Sequence, residues 1–174
     1  MIDPHFLSKA EVRSWPIIGW VGAKAGTLFI KRGSRSAAES AHHEMVQCLK
    51  TNETGATGHS VLFFPEGTTS NGLDILRFRP RLFDAAITTQ RPLQPIVLHY
   101  PDPVHNVNPK VPFVGKQSLA ANIWSLLGER KINVTVCFLT EIDTTVFNRK
   151  DLAKLSEKRV RESLTQLLKT QKTR

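Results

Sequence analysis

Short β-rich runs alternate with segments of helical spacing along the whole chain, which points to an α/β layer fold. Strands are expected over Thr27–Lys31, Val61–Phe64, Leu93–Tyr100 and Ile132–Leu139, the last from the alternation of Ile132, Val134, Val136 and Phe138. Ser14 can cap a helix starting at Trp15, with Gly26 just past its end. Ser36-Ala37-Ala38-Glu39 reads as a capping box, and Ala38, Ala41, Met45 and Leu49 then share one buried helical face. Helices are also expected over Arg81–Thr89, over Ser118–Leu127 ending at Gly128, and after Asn148, which caps the last one near Asp151. Thr51–His59 and the proline-rich Pro101–Pro112 read as irregular. Residues 1–174 show no linker or repeat and read as one domain, long enough to bury a core.

The segment with the most site-like character follows the strand Val61-Leu62-Phe63. Pro65 ends that strand, and Glu66-Gly67-Thr68-Thr69-Ser70 then brings a lone acid, a flexible backbone and three hydroxyls together at a strand exit. On its own residues this is either a tight surface turn or a binding loop.

Charge narrows the partner classes. The formal net charge is +9, which points to an anionic partner: nucleic acid, anionic lipid or a phosphorylated substrate. Dispersed arginines and the lack of aromatic platforms in the basic C-terminal helix oppose nucleic acid, and that helix reads as a solvated face. Cys48 and Cys137 have no metal-like spacing and read as reduced core residues; His42 and His43 point about 100° apart on a helix, so no metal is expected. No run approaches a membrane span, and the first residues have no apolar leader core.

Four blocks, in order and spacing, resemble the glycerolipid acyltransferases of the lysophosphatidic acid acyltransferase family. They are Lys9-Ala10-Glu11-Val12 with Trp15-Pro16-Ile17-Ile18-Gly19, then Gly26-Thr27-Leu28-Phe29-Ile30-Lys31-Arg32, then Phe64-Pro65-Glu66-Gly67, then Gln94-Pro95-Ile96-Val97. The resemblance covers roughly residues 6–145 and implies that family's α/β fold, a mixed central sheet flanked by helices. It implies transfer of a fatty acyl group from an acyl thioester, carried by coenzyme A or acyl carrier protein, to the free hydroxyl of lysophosphatidic acid in phospholipid biosynthesis. No cofactor is implied. A peripheral position at the cytoplasmic face of an anionic membrane is implied as well. Other lysolipids, such as an ornithine lipid, are alternative acceptors, and a catalytically silent lipid- or phosphate-binding relative is an alternative function.

The resemblance carries over to Arg32, as the contact for the acceptor phosphate, and to Glu66, Gly67, Thr68 and Thr69. A guanidinium fork suits phosphate, whereas a carboxylate repels it. Glu66 is therefore expected to orient Arg32, a backbone amide or an acceptor hydroxyl, close to Arg32 at one end of the sheet. Many relatives carry arginine at the place of Thr69, and Arg77 and Arg79 are downstream substitutes for that charge. The family's His-x4-Asp, which supplies base and orienting acid, has no counterpart here: the residues five places after each histidine are Ala10, Gln47, Cys48, Phe64, Val104 and Lys110. The catalytic residues are therefore unassigned. The chain reads as starting just after that motif, so apolar surface is expected at Phe6, Trp15, Ile17 or Ile18.

Overall fold

The computed structural model describes residues 4–30, 35–50, 58–114 and 119–172. They form two compact units: 1–65 with 79–93 and 143–152, and 66–78 with 94–142 and 153–174.

In the first unit, β1 (Pro4–Lys9) is the centre of a three-stranded parallel sheet, with β2 (Leu28–Ile30) on one side and β3 (Ser60–Leu62) on the other. Parallel neighbours need crossovers, here α1 (Ile18–Lys24) between β1 and β2 and α2 (Arg35–Leu49) between β2 and β3. Strand pleating separates two faces. Leu7, Leu28, Val61 and Phe63 pack against a buried cluster of Met45, Val46 and Leu49 from α2 and Ala85 from α3 (Asp84–Thr88). The expected helical face is thus present: Ala41, Met45 and Leu49 are buried, joined by Val46, with Ala38 half-buried. Phe83 is 1% exposed and meets the edge of Phe63 at 5.3 Å between ring centroids.

β1 carries no sequence signal of its own: Pro-His-Phe-Leu-Ser-Lys mixes polar and apolar residues, and proline is tolerated only because it stands first. The helix expected at Trp15 starts later. Pro16 drives Trp15 into extended backbone, φ −75° and ψ 131°, so a 3-10 turn (Ala10–Ser14) ends there and α1 begins at Ile18. The Ser14 hydroxyl donates back to the Glu11 carbonyl at 2.8 Å and caps nothing. Between the two pieces Ile17 forms a γ-turn, φ 66° and ψ −59°, closed by the Ile18 amide donating to the Pro16 carbonyl at 2.7 Å. For a β-branched residue this is strained backbone.

Gly19 lets α1 cross that 3-10 turn. A Cβ at Gly19 would lie 2.1 Å from the Arg13 carbonyl oxygen. Backbone cannot swing aside as a side-chain tip can, so Gly19→Ala is expected to lower the urea midpoint by the equivalent of about 1–3 kcal/mol with an unchanged m value. An unchanged midpoint would show that the crossing is loose.

The second unit is antiparallel. β4 (Ile96–His99) pairs with β7 (Thr135–Phe138), and β5 (Pro101–Asp102) with β6 (Asn106–Val107). Pro95 stays just outside β4, where its carbonyl accepts from the Leu139 amide at 3.0 Å; proline cannot donate to a ladder. The Pro101–Pro112 stretch holds a small hairpin, because Asp102 accepts from the amides of Val104 and His105, both at 2.9 Å. α4 (Leu119–Leu127) ends before Gly128, while Ser118 lies outside the described residues.

The last helix, α5 (Arg149–Lys172), is capped as expected: Asn148 Oδ1 accepts from the amides of Lys150 at 2.9 Å and Asp151 at 3.1 Å. Leu152, Ala153, Ser156, Val160 and Leu164 are its buried positions. Lys150, Lys154, Lys158 and Lys169 form the solvated face that the sequence suggests, but Arg159 and Arg161 do not belong to it: both are half-buried, and Arg159 donates to the Thr140 carbonyl at 3.2 Å. Parallel and antiparallel pairs with packed helices make this an α/β fold with mixed strand pairing. Among the described residues no helix is long and apolar enough to cross a membrane.

Candidate functional site

Two features stand out, one in each unit. The first is a cleft on the sheet face turned away from the α2 core. Phe6 and Ser8 of β1 and Phe29 of β2 form its floor, and Val12, Ile18 and Gly22 one wall. Phe64, just beyond β3, also lines it, and its volume is about 240 Å³. It is mostly apolar, with Ser8 and Thr27 among its lining residues. The Arg13 guanidinium lies 5.9 Å from the centre of the Phe29 ring, a cation–π contact. Phe6, Ile17, Ile18, Trp20 and Val21 are exposed, so the N-terminal segment presents apolar surface, as expected from the sequence, with Trp15 half-buried.

His5, a neighbour in β1, is turned to other work. Its ring lies 4.3 Å from that of His59 and against Gly26, where a Cβ would come within 2.7 Å of the imidazole. Gly26 has φ +68° and closes α1, so two constraints select glycine there. Among the described residues no group of three or more metal-binding side chains converges.

The second feature is the loop Glu66–Phe78. In the first unit the Pro65 carbonyl accepts from the Arg79 amide at 2.9 Å, so the chain departs and returns at neighbouring points, the mark of an Ω-loop. Within the second unit this loop is held by side chains. Glu66 Oε2 accepts from the Leu76 amide at 2.7 Å. Arg161 of α5 ion-pairs with Asp74 and donates to the Ile75 carbonyl at 3.1 Å and to Glu157 Oε1 at 3.2 Å. Glu157 Oε2 in turn accepts from the Phe78 amide at 2.9 Å. Gly67 is buried with φ +71°, a conformation that costs any other residue strain. Thr68 and Thr69 are exposed, and the Thr69 hydroxyl donates to the Phe113 carbonyl, so its proton is already committed.

Of the partners considered for Glu66, a backbone amide is one the structure supplies. Arg32 lies outside the described residues, and with it the expected Arg32–Glu66 approach; so do residues 51–57 of the loop before β3. Arg77 and Arg79 are both exposed. The Arg161–Asp74–Glu157 network is not among the features that the sequence predicts. Its only local signal is the spacing of Glu157 and Arg161, four apart on a helix.

Burial pushes the Glu66 carboxyl up, and the Asp74 carboxylate adds to that, while the Leu76 amide and the Arg161 guanidinium pull it down. An acid with a raised folded pKa favours the fold most while protonated. That contribution is complete below the unfolded pKa and is lost as pH rises through the folded pKa. Glu66→Gln keeps an acceptor for the Leu76 amide and removes the titration. The variant's urea midpoint should therefore gain on the natural protein's as pH rises from about 4 to 7. A constant difference across that range would mean that Glu66 titrates alike in both states.

Comparison with known proteins gives a consistent picture. The family model described as Acyltransferase matches residues 2–99. A lyso-ornithine lipid O-acyltransferase of Pseudomonas aeruginosa is 36% identical over 160 residues, 91% of this chain and 58% of that protein. A 1-acyl-sn-glycerol-3-phosphate acyltransferase of Neisseria gonorrhoeae is 33% identical over 140 residues, 79% of this chain and 51% of that protein. Among solved structures, the 1-acyl-sn-glycerophosphate acyltransferase PlsC of Thermotoga maritima shares the fold, with a TM-score of 0.61 at 20% identity over 95% of this chain and 57% of its own. The chain therefore spans between about half and three-fifths of the length of these relatives. With its blocks in order on the matching fold, the chain belongs to the acyltransferase family.

Proposed function

We propose that this chain is the acceptor-binding part of an O-acyltransferase that moves a fatty acyl group from an acyl thioester, of coenzyme A or acyl carrier protein, to the free hydroxyl of lysophosphatidic acid at an anionic membrane surface. The observation that carries this reading is the parallel sheet. β2 ends at Ile30 and β3 at Leu62, and both run parallel to β1. The strand ends at Ile30 and Leu62 thus share one carboxyl edge, where open α/β sheets bind ligands, and Phe64, just after β3, lines the apolar cleft.

Each part has a chemical task. Arg32 offers a bidentate fork to the acceptor phosphate. Gly67 turns the backbone at the mouth of the loop, and the Glu66 carboxyl holds that loop closed through Leu76. The apolar cleft takes the hydrocarbon of the lipid. The base that removes the hydroxyl proton and the acid that orients it belong, in this family, to the His-x4-Asp motif, which these residues do not contain.

Calorimetric titration with a short-chain lysophosphatidic acid tests the reading. Arg32→Ala should weaken binding about ten- to hundredfold, the worth of charge-assisted bonds, and should reduce its salt dependence. The matching neutral monoacylglycerol should bind both proteins alike. Equal affinity of the two proteins for the phosphorylated lipid would remove Arg32 from the site. A second acceptor, lyso-ornithine lipid, is favoured by the 36% identical relative that covers 91% of this chain.

A further inference from the structure

We propose that α4 is a membrane-docking element, with Trp124 and Leu127 entering the interface of an anionic lipid surface and Arg130 and Lys131 meeting its head groups. The inference rests on the membrane-surface part of the proposal above and not on its acyl chemistry.

The orientation of α4 follows from one anchor. Asn122 is buried and its amide donates to the Lys110 carbonyl at 3.0 Å, which fixes the face turned to the protein. Trp124 comes about 200° further round the helix and so points the opposite way. It is 79% exposed, and Leu127 is 72% exposed. Ala121, on the same side, is exposed too and carries no charge. A nine-residue helix this apolar, Leu119–Leu127, is not built to face water on that side.

Charge selects the occupant. α4 contains no ionisable residue, and the first acid after it, Glu129, is neutralised by an ion pair with Lys110. The next two residues, Arg130 and Lys131, are exposed cations. An indole with an apolar body and one donor, a neighbouring leucine and two adjacent cations match the layered chemistry of an anionic bilayer surface: hydrocarbon below, phosphate above. At about 13 Å the helix is too short to span a bilayer and suits shallow insertion.

The test uses the chain with Trp15 and Trp20 replaced by phenylalanine, which leaves Trp124 as its sole tryptophan. Vesicles of phosphatidylcholine with phosphatidylglycerol should shift its emission to the blue, and brominated acyl chains should quench it. Phosphatidylcholine alone should do far less. Arg130→Ser with Lys131→Ser should weaken partitioning roughly thirtyfold, about fivefold per cation. Leu127→Ser should weaken it further, with far-UV circular dichroism unchanged.

Protein that pellets with anionic vesicles while Trp124 emission stays fixed would overturn the assignment to α4 and leave the membrane surface itself standing. A Trp124 shift that appears without lipid and grows with protein concentration would assign the face to a second copy instead and overturn it. Absence of vesicle binding would overturn both α4 docking and the membrane-surface reading, whereas acyl transfer to micellar lysolipid is read separately.

Discussion

Acyl transfer by the 174-residue polypeptide assayed by itself is expected to be slower by about 10²–10⁴-fold than by a chimaera in which a family relative's His-x4-Asp segment precedes Met1. The reason is chemical. A glycerol hydroxyl is a poor nucleophile until a positioned base takes its proton, and an oriented histidine is the family's means of doing so. His5 does not supply one: its ring packs against Gly26 and the His59 ring. His105 has an acid at hand, Asp102 at 3.1 Å, but that pair closes an exposed hairpin whose carboxylate also accepts two backbone amides. Thiol release from an acyl thioester measures the difference, and lysolipid affinity should change far less than turnover. Rapid turnover by the polypeptide alone, lost on replacing one histidine, would reveal another base. A chimaera that binds and never turns over would identify a silent lipid-binding relative.

Phe83→Ala should lower stability by about 3–5 kcal/mol, the cost of a large aromatic removed from a core that cannot collapse around the gap. Phe83 is 1% exposed, and its ring meets Phe63, which packs onto the α2 cluster. Urea unfolding measures the loss. A change below about 1 kcal/mol would show that this core is plastic. The consequence reaches function, because Phe63 immediately precedes Phe64 of the cleft and the chain's exit towards Glu66. Phe83→Leu, closer in volume, should keep more of both stability and lysolipid binding.

Much of this fold was legible because single stretches carried their own signals. Val61-Leu62-Phe63 before Pro65 gave a strand with an abrupt end, and β3 stops at Leu62. The alternation of Ile132, Val134, Val136 and Phe138 gave β7, although the strand covers only Thr135–Phe138, and Asn148 with Asp151 gave the start of α5. β1 was not legible. Its six residues become a strand because β2 and β3 bracket it, a condition that no local window contains. The Ser14 hydroxyl suggests a helix start that the fold does not use, because Pro16, two residues on, forbids a helical Trp15.

The candidate site divides along the same line. Glu66-Gly67-Thr68-Thr69, after the end of β3, could be singled out from the chain and its family resemblance, whereas Arg32 lies outside the described residues. What folds the loop after Glu66 could not. Arg161 meets Asp74 across 87 positions of sequence, and Glu157 meets the Phe78 amide across 79. Such pairings exist only once the fold has brought the elements together. The apolar cleft was equally hidden, since Phe6, Phe29 and Phe64 come from three chain segments.

The most direct test of the central claim follows the acyl group itself. The chimaera is incubated with an isotope-labelled acyl thioester and an equimolar mixture of lysophosphatidic acid and lyso-ornithine lipid, and the products are resolved by mass spectrometry. The account predicts label in the ester of a lysolipid, in step with the thiol released, and predominantly in the phosphatidic acid product. Label appearing only in free fatty acid, with thiol released at the same rate whether or not a lysolipid is present, would contradict it and make this chain part of a thioester hydrolase.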